Sequence, residues 1–129
     1  RVWVLCDRDP VENWIDGRAV LLGDAAHPTL QYYAQGACMA LEDGVCLSQL
    51  VGANPDNLDS ALVRYQERRV VRTARIQLGS RQLSDNWFHV DGVHRRLRNE
   101  IMGGMTAEDY YDNLDWLYGH DEAKAVDVL

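Results

Sequence analysis

The chain has 129 residues, 47% of them hydrophobic, a formal net charge of -7 at pH 7 and three cysteines. That is enough for one modest domain with a core, and the acidic balance argues against nucleic acid or an anionic membrane as the main partner. No apolar run approaches a membrane span and no signal peptide is legible. Cys6, Cys38 and Cys46 form no CxxC pair, so free thiols in a reducing cytoplasm are expected.

In chain order, Val2 to Cys6 reads as a short apolar strand, and Asp7-Arg8-Asp9-Pro10 as a charged turn in which Pro10 stops the ladder. Asp7 and Asp9 form a carboxylate pair of the kind acid/base chemistry uses, but the turn and the adjacent Arg8 favour a solvated loop. Val11 to Asp16 is expected as a helical turn with Trp14 inward, and Asp16-Gly17 as a turn. Ala19 to Leu22 reads as a buried strand, too short for a helix. Gly23 ends it and Asp24 follows. A polar loop then carries His27, Pro28 and Gln31, and from Gln35-Gly36 a helix continues to about Val51, with Met39, Leu41, Val45, Leu47 and Leu50 apolar. A strand, a glycine turn, one carboxylate and a helix start suit a polar ligand, because backbone approaches closely at glycine and the free N–H groups of a helix start favour negative charge.

Glu42 and Asp43 interrupt that helix. Gly44 inside it costs about 1 kcal/mol against Ala, which predicts a close packing contact or a kink. Gly52 to Asp56 is a loop, and Asn57 or Asp56 caps the next helix. Leu58 to about Asp85 forms one long helix with an inward stripe of Leu58, Leu62, Tyr65, Val70, Val71, Ala74 and Leu78. Arg64, Arg68, Arg69, Arg72 and Arg75 run along it as a solvated or salt-bridged face. His89 and His94 have no cysteine or third histidine nearby, so no metal site is expected. A helix from Val93 to Met102 ends at Gly103-Gly104, and Thr106 reads as an N-cap with Asp109 at the box position.

Gly23-Asp24-Ala25-Ala26-His27-Pro28, then Gln35-Gly36-Ala37, then Leu41-Glu42-Asp43, closely resembles the second flavin-binding motif of the single-component FAD-dependent aromatic hydroxylases. Gln31-Tyr32 before Ala34-Gln35-Gly36-Ala37 is most similar to the branch that hydroxylates 3-hydroxybenzoate, with salicylate hydroxylases as near neighbours. Tyr65 to Arg81 and the segment Asp115-Trp116-Leu117-Tyr118-Gly119-His120-Asp121 extend the resemblance over nearly the whole chain. Two positions depart from it: Gly44 replaces the usual Ala, and Val71 replaces a proline.

The resemblance implies an α/β parent, an FAD-binding domain with an inserted substrate sheet. This chain would be a mostly α part of it with one or two short strands. Residues 1–52 would be the C-terminal part of the FAD-binding domain, and 53–129 a helical C-terminal region. The chain opens on Arg1 and contains no Gly-x-Gly-x-x-Gly fingerprint. The expectation is therefore the C-terminal part of a longer enzyme that hydroxylates a small aromatic acid in aromatic catabolism, with NADH or NADPH as electron donor and O2 activated on FAD.

By the same resemblance, Gly23, Asp24, Gln35, Gly36 and Ala37 bind the cofactor. Asp24 accepts from a ribityl hydroxyl, and the helix start stabilises charge on the reduced ring. A turn or N-cap role for Asp24, and a purely local reason for Gly36, stay open. Pro28 would turn its carbonyl to the reactive edge of the flavin, and Gln31 would position the substrate's phenolic hydroxyl. His27 would be structural, and one of Glu42 and Asp43 a buried, paired carboxylate. Tyr32 and Tyr33 either line the pocket or pack. The rival expectations are a flavin-free helical interaction module using the Leu58–Asp85 helix, a homodimer included, and a hydrolase using Asp24 and His27, for which no nucleophile elbow is present.

Overall fold

The computed structural model describes residues 2–125. Helices dominate. A two-stranded antiparallel sheet, β1 (Ile15–Asp16) and β2 (Ala19–Val20), pairs Ile15 with Val20 and Asp16 with Ala19. The turn between them uses Gly17 at φ +56°, a left-handed conformation natural to glycine in tight hairpins. Then come α1 (Gly36–Ala53), α2 (Leu58–Leu83), α3 (Gly92–Gly104), α4 (Ala107–Tyr118) and α5 (Glu122–Ala125). Short 3-10 turns at Gly23–Ala25 and Gln31–Tyr33 precede α1, and a π turn at Ser84–Phe88 follows α2. The chain divides into two compact units, one built from residues up to Arg81 together with α5, the other from Gln82–Asp121.

In the first unit Trp14, Ala26, Cys46, Leu50, Ala61 and Tyr65 form the apolar core. Trp14 lies at its centre, with ring centroids 5.6 Å from His27 and 5.7 Å from Tyr65. Its backbone N–H donates to Gln66 Oε1 at 2.7 Å, which ties the hairpin to α2. Asn57 caps α2 by accepting from the Ser60 N–H at 3.2 Å.

Several expectations change. Val2 to Cys6 forms no strand, and Val2 is 96% exposed. A strand is stable only when its backbone groups find a ladder, and among the described residues the sheet is β1 and β2 alone, with nothing paired to this segment. For the same reason the expected buried strand Ala19 to Leu22 is only a two-residue hairpin arm with Leu21 and Leu22 exposed. Ile15–Asp16 is β1 rather than a helical turn, although Trp14 is buried as expected.

On α1 the buried stripe is Met39, Asp43, Cys46 and Leu50, while Leu41 is 71% exposed. On α2 it is Ala61, Leu62, Tyr65, Arg69, Thr73, Ile76, Gln77 and Ser80, with Val71 75% exposed and Leu78 also outside. Both stripes keep helical spacing, but polar residues occupy core positions on them. Most of the long inward face of α2 is thus covered within this unit and is not free to serve as the interface of an interaction module. α2 is continuous through Val71.

In the second unit, Asp91 accepts from the Gly92 N–H at the start of α3, and Thr106 and Asp109 close a reciprocal capping box on α4. Tyr110 Oη donates to Met102 O at 3.2 Å, joining the two helices.

Gly44 has neither a packing contact nor a kink. It is exposed inside an unbroken α1, and a Cβ there would meet nothing within 4 Å. Gly44→Ala should therefore raise stability by about 0.5–1 kcal/mol through helix propensity alone, read as an upward shift of the thermal midpoint. A lower midpoint would mean that Gly44 has a partner.

Candidate functional site

The site is built on a buried carboxylate. Asp43, fully buried on α1, accepts from the Gly23 N–H at 3.0 Å and from His27 Nε2 at 2.6 Å through Oδ2, and from Arg69 Nε at 2.7 Å through Oδ1. A carboxylate only accepts, so His27 carries its proton on Nε2. Arg69, also fully buried, donates through Nη1 to Glu122 Oε2 at 2.7 Å and lies 2.8 Å from Glu42 Oε2. Arg72 binds Glu42 with two bonds of 2.7 Å.

Burial alone would raise the pKa of Asp43, but hydrogen bonds from His27, the Gly23 N–H and Arg69 outweigh it and hold the group below the usual carboxylate range. Burial likewise raises Glu42, and Arg72 and Arg69 reverse it. Burial disfavours charge on Arg69, and Asp43, Glu42 and Glu122 more than restore it, so its pKa lies above the ordinary value. The Cys46 thiol is pushed up to about 12 by burial and then by Glu122, which keeps it protonated and unreactive at neutral pH.

This network sets the shape of the turn at Gly23–Ala25. Gly23 adopts φ +58°, and a Cβ there would come 3.3 Å from Ala40 Cβ. With Gly23 held from beneath, Asp24 is exposed on the other side. Arg8 braces the same turn, donating to Ala25 O at 2.8 Å and Ala26 O at 2.7 Å. Asp7 and Asp9 turn the other way and both bind Arg81, at 2.5 and 2.6 Å. They are a salt-bridged pair rather than an acid/base pair, and their partner is remote in sequence.

Asp24, Thr29, Leu30, Gln31, Gly36, Ala37 and Ala40 line an open cleft of about 460 Å3. Four of the seven sequence-predicted residues, Asp24, Gln31, Gly36 and Ala37, therefore meet in one place. Gly23 lies buried behind Asp24, and Gln35 is buried at the N-cap of α1 without a side-chain capping bond. Pro28 is half-buried outside the lining, and its carbonyl accepts from Gln77 Nε2 at 3.1 Å. His27 is a buried structural residue paired with Asp43, not with Asp24, which removes the basis of the hydrolase expectation. Tyr33 packs against α2 at Gly79.

The cleft thus sets an acceptor-only carboxylate opposite a helix N-terminus whose first N–H groups have no intrahelical acceptor. The α1 first turn carries no acidic side chain to take them. Such a pair suits a ligand that offers hydroxyls on one side and a carbonyl or negative charge on the other.

The sequence reading missed Arg69, Gln77 and Arg8. For Arg69 a signal existed: it follows Leu62 and Tyr65 at helical spacing, on the inward side. Gln77 and Arg8 act through backbone carbonyls and leave no pattern to read.

Replacing Asp43 by Ala takes the acceptor from three buried donors at once, Arg69 Nε, His27 Nε2 and the Gly23 N–H, which costs about 3–5 kcal/mol. Loss of cooperative unfolding, or a denaturation midpoint lowered by that amount, is the expected result. Asp43 and Glu42 have depressed folded pKa values, so their contribution is complete above the unfolded values of about 3.9 and 4.3 and is lost as pH falls through the folded ones. Urea midpoints measured between pH 7 and pH 2 should drop at the acid end, and by less in Asp43→Ala.

No family model matches the chain. Over 119 residues it is 55% identical to 3-hydroxybenzoate 6-hydroxylase 1 of Aquipseudomonas alcaligenes, covering 92% of this chain and 30% of that protein. The 3-hydroxybenzoate 6-hydroxylase of Polaromonas naphthalenivorans is 50% identical over 91% of this chain and 29% of its own length. Among solved structures, Klebsiella pneumoniae HpxO complexed with FAD and uric acid matches with a TM-score of 0.77 and 29% identity, over 84% of this chain and 28% of that one. The chain is a homologue of a segment of the aromatic-acid hydroxylases and spans about 30% of the length of the curated relatives it matches.

Proposed function

We propose that the chain is the C-terminal part of an FAD-dependent monooxygenase that hydroxylates a small aromatic acid such as 3-hydroxybenzoate, with NADH or NADPH as donor. The observation that carries the reading is the cleft itself, where Asp24 faces the bare start of α1 and Gln31 shares the same lining. The 50–55% identity to 3-hydroxybenzoate 6-hydroxylases supports the substrate class. The exposed apolar residues Val2, Trp3, Val4, Leu21 and Leu22 support an α/β parent with further strands over them. The free cysteines fit a reducing cytoplasm.

The residues present fit a flavin. A Cβ at Gly36 would come 3.8 Å from Thr29 Cγ2 and 3.9 Å from Asp24 Oδ1, in the space these residues line, so glycine keeps the approach to the helix start open. In this reading Asp24 accepts a hydroxyl of the ribityl chain. Gly36 and Ala37 donate backbone N–H groups to the polar edge of the ring and favour negative charge there. Gly23 and Gln35 set the backbone on either side. When bound, FAD supplies the redox and oxygen chemistry. Gln31, whose amide both donates and accepts, holds the phenolic hydroxyl of the substrate. Pro28 fixes the backbone ahead of it.

The test uses the full-length enzyme. Asp24→Ala should weaken FAD binding roughly tenfold to hundredfold, the size expected for losing a hydrogen bond to a charged group. FAD is measured by flavin absorbance per protein after dialysis, and wild-type FAD content in the variant would end the ribityl assignment. Wild-type protein should consume NADH faster with 3-hydroxybenzoate present. A full-length protein without flavin bands would overturn the reading as a whole.

A further inference from the structure

We propose that Gly79 of α2 is a positioning residue for Gln31, because it admits the ring of Tyr33 against the helix and so fixes the turn that presents Gln31 to the cleft. The inference rests on the reading of Gln31 as the residue that meets the substrate.

The backbone of the turn at Gln31–Tyr33 closes with Ala34 N–H donating to Gln31 O at 2.8 Å. It ends on Ala34 at φ 54°, a left-handed conformation that costs a non-glycine residue on the order of 1 kcal/mol. Such a conformation persists only when its surroundings impose it. Gln31 itself is exposed, so its direction depends on where the turn is tethered.

Two tethers lead to α2. Upstream, Gln77, itself buried, donates from Nε2 to Pro28 O at 3.1 Å and to Arg8 O at 3.1 Å. Downstream, the Tyr33 ring occupies the place of a side chain at Gly79: a Cβ there would lie 2.7 Å from Tyr33 Cε2, 3.1 Å from its Oη and 3.3 Å from its Cζ. The cleft-lining residues Thr29, Leu30 and Gln31 are strung between these two points. Gly79 is in mid-helix and is not among the glycines with positive φ, so its backbone does not require glycine. Glycine there costs about 1 kcal/mol of helix propensity, and the Tyr33 contact is what accounts for it. A side chain there must displace the outer edge of the ring, and with it the contact that holds this end of the turn to α2. A displacement of an ångström at a substrate-orienting group is enough to cost two orders of magnitude in turnover.

The experiment compares Gly79→Ala, Tyr33→Ala, Gln31→Ala and the double variant Gly79→Ala/Tyr33→Ala in the full-length holoenzyme. FAD content, KM for 3-hydroxybenzoate and hydrogen peroxide released per NADH are measured for each. Gly79→Ala is expected to raise KM roughly tenfold to hundredfold and to divert NADH to peroxide, with FAD content at the wild-type level. The double variant is expected to match Tyr33→Ala, because the ring that collides is gone. A merely structural role for Gly79 would lower the melting temperature or FAD content and leave KM and coupling in place, which overturns the inference. So does a double variant that is worse than Tyr33→Ala by the factor separating Gly79→Ala from wild type. Should Gly79→Ala fail to fold, the double variant decides: recovery to the Tyr33→Ala level supports the contact, and failure to recover refutes it. Wild-type KM and coupling in Gly79→Ala beside a damaged Gln31→Ala overturn the inference alone. Wild-type behaviour of Gln31→Ala overturns the substrate role of Gln31, and the inference with it.

Discussion

One buried carboxylate organises the first unit. Asp43 binds the backbone of Gly23, the ring of His27 and the guanidinium of Arg69, and so joins the glycine turn, the loop after it and two helices at a single point. Burying a charge is unfavourable unless it is paired and hydrogen-bonded. Here each oxygen has a donor at hydrogen-bond distance, and Arg69 reaches two further carboxylates. The cost of burial is offset only while all members are in place. Asp43 is the shared member, and losing it leaves the Gly23 N–H, His27 Nε2 and Arg69 Nε without their common acceptor.

The cleft inherits its form from that point. Because Gly23 is held from below, its neighbour Asp24 is presented outward, facing the start of the same helix that carries Asp43. The Gly23–Asp43 hydrogen bond ties the turn that carries Asp24 to α1, the helix whose N-terminus it faces. The other wall, Thr29 to Gln31, is held to α2 on either side, at Pro28 by Gln77 and at Tyr33 by its contact with Gly79. The Asp24 side and the Gln31 side of the cleft are thus held by different means, one by buried electrostatics and the other by a hydrogen bond at Gln77 and packing of Tyr33 at Gly79.

The polar character of the core explains an inversion on both helices. Asp43, Arg69, Thr73, Gln77 and Ser80 are buried, while Leu41, Val71 and Leu78 are exposed. Every buried polar residue on α1 and α2 keeps helical spacing with the apolar core residues, so the period is intact and only the chemistry is exchanged. A hydrophobic stripe read from residue type alone rotates such a helix toward the wrong face. Three of these buried polar side chains reach other segments, Asp43 to Gly23, Arg69 to Glu122, and Gln77 to Arg8 and Pro28, while Thr73 bonds back to its own helix at Arg69 O and Val70 O.

Residue types alone account for the local order. The helix start at Gly36, the turn at Gly17, the Asn57 cap, the Thr106–Asp109 box and the gathering of Asp24 with Gly36 and Ala37 all follow from residue types at short spacing, where backbone chemistry leaves few alternatives. The identity of the motif was legible for the same reason, since its elements lie within one continuous stretch. Only the tertiary structure decided which of the charged residues are core. Arg69 shares the inward spacing of Leu62 and Tyr65, but a charge at that position is accounted for only when Asp43 and Glu122 are brought beside it. Asp7 and Asp9 find Arg81 rather than the adjacent Arg8, and Gly79 has a reason only once Tyr33 lies on it. The apolar segments Val2 to Cys6 and Ala19 to Leu22 failed as strands for a complementary reason. A strand is not a property of its own residues but of a neighbouring edge, and the sequence of one segment does not contain its partner.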